Sequence, residues 1–169
     1  IKPLIDFGHK DFGENKVQEA VSKWEVIKQQ NNNIKLHMVG KLQSNKAKTA
    51  FKLFDYIHSL DNRKLADIFS KCEKESSRKI NYFIQVNVGN ELQKSGIKVE
   101  ELDAFFNYCS KEKNLNILGL MAIPPNDQNV VKHFSLLNEL NSSLGLKELS
   151  MGMSLSLIHI SEPTRRTII

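Results

Sequence analysis

A chain of 169 residues is long enough for one domain with a continuous core and too short for two of ordinary size. Apolar residues make up 40% of it and charged residues 25%, a globular composition, and no run approaches the roughly 18 apolar residues of a membrane-spanning helix. The formal charge of +5 invites a nucleic-acid reading, but the lysines alternate with acids, as in Lys71-Cys72-Glu73-Lys74-Glu75, and no arginine stripe accompanies them.

Solvated helix faces therefore account for the charge, and neither nucleic acid nor membrane is expected as a partner. The N-terminal stretch Ile1-Lys2-Pro3-Leu4-Ile5-Asp6 lacks the basic region and apolar run of a signal peptide. Cys72 and Cys109 both fall in amphipathic helical patterns, which predicts two reduced, partly buried cysteines in a cytoplasmic protein.

Taken along the chain, Asp11-Phe12-Gly13-Glu14 is a short strand. Val17, Ala20, Val21, Trp24 and Ile27 then repeat at helical spacing over Lys16 to Gln30. An asparagine run stops that helix, and residues 34–40 read as a strand ending in glycine. A helix from Ser44 to Lys52 and a strand over residues 54–60 follow. Asp61 or Asn62 caps a helix to about Glu75, and residues 82–88 form a strand with apolar residues on both faces, as suits a parallel strand covered by helices. Val99 to Lys111 is helical, and residues 115–123 are a strand that Pro124-Pro125 ends. A last helix over Gln128 to Leu144 is expected to bury Val130, Phe134, Leu137 and Leu144, with Gly145 closing it, and Lys147 to Met153 is a final strand.

Repeated βα units of this size imply an α/β fold, either a doubly wound sheet or a (β/α)8 TIM barrel. Neither Gly-x-Gly-x-x-Gly nor a Gly-rich Lys-Ser/Thr loop is present to favour the open sheet. Polar residues gather instead at successive strand ends: Glu14-Asn15, Gly40, His58-Ser59, Asn87 and Met153-Ser154. In a barrel that rim is the site. His37 is either an inward residue near a bound ligand or a hydrogen-bonded core histidine. His58 and Ser59 lack an acid at a matching position, so a hydrolase triad is not expected.

The segment from Leu155 to Arg165, Leu-Ser-Leu-Ile-His-Ile-Ser-Glu-Pro-Thr-Arg, resembles the translation of a transposase sequencing adaptor. The domain is accordingly expected to span residues 1–154, with a non-native tail over 155–169.

Phe12-Gly13-Glu14-Asn15, the run from Leu36 to Lys46 (LHMVGKLQSNK), and Ile57-His58-Ser59-Leu60-Asp61 occur in the same order as in another group of proteins. Gln85-Val86-Asn87, Lys94-Ser95-Gly96, Gly119-Leu120-Met121 and Ser150-Met151-Gly152-Met153-Ser154 complete the series. Together they resemble the pyridoxal phosphate homeostasis proteins (the YggS/PROSC family), in a bacterial style of sequence. That resemblance implies a partial barrel of the alanine racemase N-terminal-domain type, with strands two to seven present. It further implies a monomer that binds pyridoxal 5′-phosphate (PLP), passes it to PLP-dependent apoenzymes and has no established catalytic turnover.

The family's Schiff-base lysine lies on a first strand upstream of Phe12, with no match in this chain, and its Arg-Ile-Gly phosphate segment lies beyond Ser154. The resemblance thus implies that these 169 residues alone do not form the covalent lysine link to PLP. Lys41 stands where the family usually has His, and Val88 where Thr is common. The cofactor-binding set it implies is Asn15, His37, Met121, Met151, Gly152, Met153 and Ser154, with no catalytic or metal-ligating residue. Gly152 and Ser154 suit a phosphate cradle. Met121, Met151 and Met153 form either a wall for the ring or plain core packing. The alternatives from other classes are a PLP-dependent amino-acid racemase-like enzyme and a module binding nucleic acid or protein.

Overall fold

In the computed structural model, residues 1–89, 95–125 and 129–152 are described. Six strands carry the sheet: β1 (Asp11–Glu14), β2 (Lys35–Met38), β3 (Tyr56–Leu60), β4 (Asn81–Gln85), β5 (Asn116–Ala122) and β6 (Glu148–Met151). They lie side by side in chain order, and every neighbouring pair is parallel. A doubly wound sheet would reverse its order at a switch point; a sheet that advances one strand per helix is the wall of a (β/α) barrel. The chain forms a curled part of such a barrel.

The connecting helices are α1 (Lys2–Asp6), α2 (Val17–Gln30), α3 (Ala47–Leu53), α4 (Arg63–Ser76), α5 (Leu102–Asn107) and α6 (Val130–Ser143). Their apolar stripes cover the convex face of the sheet. Trp24, Ala47, Ala50, Leu65 and Phe69 pack there against Leu36, Met38, Ile57, Tyr82, Ile84 and Leu120. Burying each of the larger side chains contributes about 1.5–3 kcal/mol.

Local chemistry fixes the joints. Asn62 caps α4, its side chain accepting from the Leu65 N–H at 3.0 Å, which decides between the two expected caps. Asp55 binds the base of the sheet: one carboxylate oxygen accepts from the Leu36 N–H and from Lys28, the other from Arg78. Buried Asn141 on α6 accepts from the Leu120 N–H and donates to the Leu146 carbonyl, tying β5 to the turn before β6.

Two expectations change. Val130 is 39% exposed rather than buried, because the buried residues of α6, Leu137 and Asn141, lie in its C-terminal half; Phe134 and Leu144 are half-buried. The helix expected over Val99 to Lys111 is three pieces: a 3-10 turn (Val99–Glu101), α5 and a π-helical turn (Tyr108–Glu112), where the Lys113 N–H reaches the Tyr108 carbonyl at 3.0 Å. The wide turn lets the consecutive residues Tyr108 and Cys109 both point inward. Cys72 and Cys109 are free thiols, more deeply buried than the pattern suggested.

Candidate functional site

The convex face is closed by helices, so the concave face and its rim are where chemistry is available. Side chains alternate across a strand. Phe12, Leu36, Ile57, Tyr82 and Leu120 face the helices; Gly13, His37, His58, Phe83, Met121 and Ser150 accordingly lie on the concave side.

A chain of polar contacts crosses that side. The Ser150 hydroxyl on β6 lies 2.7 Å from His58 Nδ1 on β3. His58 Nε2 lies 2.9 Å from His37 Nδ1 on β2, and His37 Nε2 lies 3.2 Å from Asp11 Oδ1 on β1. His37 stacks on Tyr56 at 4.2 Å between centroids and His58 on Phe83 at 4.4 Å. That Ser150 reaches β3 past two intervening strands is a direct measure of the sheet's curl.

Both rings are buried, and burial pushes both below the ordinary histidine range. For His37 the Asp11 carboxylate partly opposes the shift. His58 has no such carboxylate and falls to about 3.

Of the two readings left open for His37, the structure shows the hydrogen-bonded core histidine, on the concave side of the sheet. His58 and Ser59, for which no hydrolase triad was expected, are not paired with each other. His58 holds Ser150 instead, while the buried Ser59 hydroxyl has no hydrogen-bond partner among the described residues. The acid missing from the sequence is Asp11, reached through a second histidine.

At the rim, Glu14 is a structural residue: its carboxylate accepts from the Trp24 indole at 2.6 Å and from Lys23. Asn15 is exposed, and its backbone closes against Gly40, where any Cβ would stand 2.1 Å from the Asn15 carbonyl oxygen. It lines an open groove of ≈ 420 Å³ with Lys16, Met38, Lys41 and Lys46.

Met121 and Met151 do not share a wall. Met121 is buried on the concave side in register with Ser150, whereas Met151 sits on the opposite pleat, 52% exposed. Gly152 lies beside Met121: a Cβ there would be 2.7 Å from Ile123 Cγ1 and 3.3 Å from Met121 Cε. The Gly152 N–H donates to the Ala122 carbonyl at 2.8 Å. Met153, Ser154 and residues 155–169 lie outside the described residues, as does Lys94. Among the described residues no group of His, Cys, Asp and Glu is arranged to hold a metal, and no helix is long and apolar enough to cross a membrane.

The family model for the alanine racemase N-terminal domain matches residues 1–163. A pyridoxal phosphate homeostasis protein of Aquifex aeolicus is 38% identical over 163 residues, covering 91% of this chain and 71% of its own length. The chain belongs to the pyridoxal phosphate homeostasis protein family. Another family member, from Haemophilus influenzae, is 33% identical over 157 residues, 87% of this chain and 66% of the relative. Among solved structures, PipY of Synechococcus elongatus with PLP bound matches with a TM-score of 0.78 at 32% identity, over 91% of this chain and 76% of PipY. Alanine racemase of Clostridium difficile, at 11% identity and a TM-score of 0.68 over 93% of this chain and 42% of the enzyme, shares the fold alone.

Proposed function

We propose that the concave face binds PLP at the C-terminal ends of the strands, and that the protein holds the cofactor and passes it to PLP-dependent apoenzymes as a monomer without turnover of its own. The observation that carries this reading is the match, in fold and at 32% identity, to PipY with PLP bound.

The residues present fit the cofactor in three respects. Gly152 is kept small by its packing against Ile123 and Met121 just past the end of β6, and the sequence that follows it is the proposed phosphate segment. The Gly152 N–H is committed to β5, so the proposed phosphate donors are the Met153 amide and the Ser154 hydroxyl. Met121, buried on the concave side near Gly152, is the proposed polarizable floor beneath a flat ring, and Asn15, exposed at the rim, is proposed to meet its edge. His37 and His58, both kept neutral by burial, line the concave face without positive charge, their ring nitrogens already engaged by Asp11, each other and Ser150.

When bound, PLP supplies an aldehyde that a lysine amine captures. The family motif places that lysine upstream of Phe12, and the same is proposed here. The racemase alternative gains only a shared fold from the enzymes at about a tenth identity, and nothing in the site favours it.

The test is equilibrium dialysis of PLP against the protein extended along its native reading frame, with and without Ser154→Ala. A charge-assisted hydrogen bond contributes about 1.5–3 kcal/mol, so affinity should fall by roughly tenfold or more. Equal affinity in the variant would remove Ser154 from the phosphate site.

A further inference from the structure

The Asp11–His37–His58–Ser150 chain has a direction. Asp11 is an exposed carboxylate that only accepts, so His37 donates to it from Nε2. His37 Nδ1 is then an acceptor and takes the proton on His58 Nε2. His58 Nδ1 is in turn an acceptor and takes the proton of the Ser150 hydroxyl. One acid at one end therefore sets both tautomers and leaves the Ser150 lone pairs facing the concave space. The path begins at the first residue of β1, at the N-terminal edge of the sheet, and ends on β6 two residues before Gly152.

We propose that these four residues form a proton relay through the concave face, in which Ser150 meets an exchangeable N–H or O–H proton of a bound ligand and Asp11 meets water. A transfer balances without any other reactant. The ligand's proton passes to Ser150 Oγ as the Ser150 proton passes to His58 Nδ1. The His58 Nε2 proton passes to His37 Nδ1, the His37 Nε2 proton passes to Asp11, and Asp11 releases it to solvent. Burial disfavours a charged imidazole at either ring, so the protons move in concert and neither ring holds a positive charge. The titratable groups touching His37 are Asp11, His58 and Tyr56, with the charges of Asp55 and Lys28 acting on it from further off; His37 is the one that acts on His58. This inference rests on the proposed site only for what occupies it, a ligand with a protonated ring nitrogen or amine.

Nitrogen-15 NMR of the histidine-labelled 169-residue chain, without PLP, tests the relay apart from cofactor binding. Both rings should carry their single proton on Nε2 and should not titrate where ordinary histidines do. Ser150→Ala should shift the Nδ1 resonance of His58 and, one ring further, that of His37; Ser59→Ala should shift neither. Asp11→Asn should slow exchange of the His58 Nε2 proton with water by at least about tenfold, the scale of losing one acid–base partner. Reversal of both tautomers together in that variant would also report one coupled chain. Either ring protonated on Nδ1 in the parent chain, ordinary titration of both rings, a Ser150→Ala effect confined to His58, or unchanged exchange in Asp11→Asn would overturn the proposal.

Discussion

At His58 a single ring couples the site to folding. Its folded value of about 3, set by burial first and by His37 second, lies far below the roughly 6.5 of a histidine in an unfolded chain. Between those values the unfolded chain binds a proton that the folded chain refuses, so stability rises with pH across the window and is flat above it. The full span corresponds to on the order of 5 kcal/mol at about 1.36 kcal/mol per unit, and His37, shifted in the same direction, adds to it. The thermal midpoint should therefore climb from pH ~5 to ~7, and His58→Gln should flatten much of that climb. An unchanged slope in the variant would remove His58 as its source. Buried Glu73 gives a second residue-scale prediction. It accepts from the Tyr82 hydroxyl at 3.0 Å, the Ile80 N–H and Lys79. Glu73→Ala strands buried donors and should cost about 2 kcal/mol or more in urea unfolding. Adding Tyr82→Phe should recover part of the loss, because the stranded hydroxyl goes with it. The partners themselves were not legible in the chain: His37 read as inward or hydrogen-bonded without naming Asp11 or His58, and Glu73 read as an ordinary helix residue although its partners stand only 6 to 9 residues on.

The elements themselves were largely legible, because each strand and helix announces itself within a dozen residues. Trp24 and its helical neighbours, the cap at Asn62 and the glycine after α6 act through local geometry, and local geometry is what a sequence carries. The misreadings arose where tertiary contact overrides period. Val130 keeps the apolar spacing of its helix but lies in its N-terminal half, away from the buried Leu137 and Asn141, and the π-helical turn at Tyr108 turns two adjacent residues inward. Two glycines sort these effects by size. A Cβ at Gly119 would sit 1.8 Å from the Glu148 carbonyl oxygen, a backbone atom held in the β5–β6 ladder. Gly119→Ala should cost about 3 kcal/mol, and hydrogen exchange should show lost protection at Leu149 and Ser150. Gly145, at φ +71° with open space around its missing Cβ, needs only its backbone freedom, so Gly145→Ala should cost about 1 kcal/mol. Equal effects at the two positions would show that the close approach of β5 to β6 carries no weight.

For the whole molecule, the chain order of strands and the polar rim pointed to a barrel, and the ordered motifs pointed to the family; both are borne out by the sheet and the relatives. The rim was legible because strand ends are marked by glycine, asparagine and serine. The concave interior was not, since His37 and His58 stand 21 residues apart and meet only through the pairing of β2 with β3, and His58 and Ser150 stand 92 apart and meet only through the curl of the sheet. The cofactor reading rests on the likeness to PipY with PLP bound. That reading is tested most directly by borohydride reduction of the PLP-loaded protein, extended along its native reading frame, followed by peptide mapping of the reduced adduct. The account predicts one stoichiometric adduct on a lysine upstream of Phe12, lost when that lysine is replaced. An adduct on Lys41, Lys46 or Lys94, or no stoichiometric adduct at all, would contradict it.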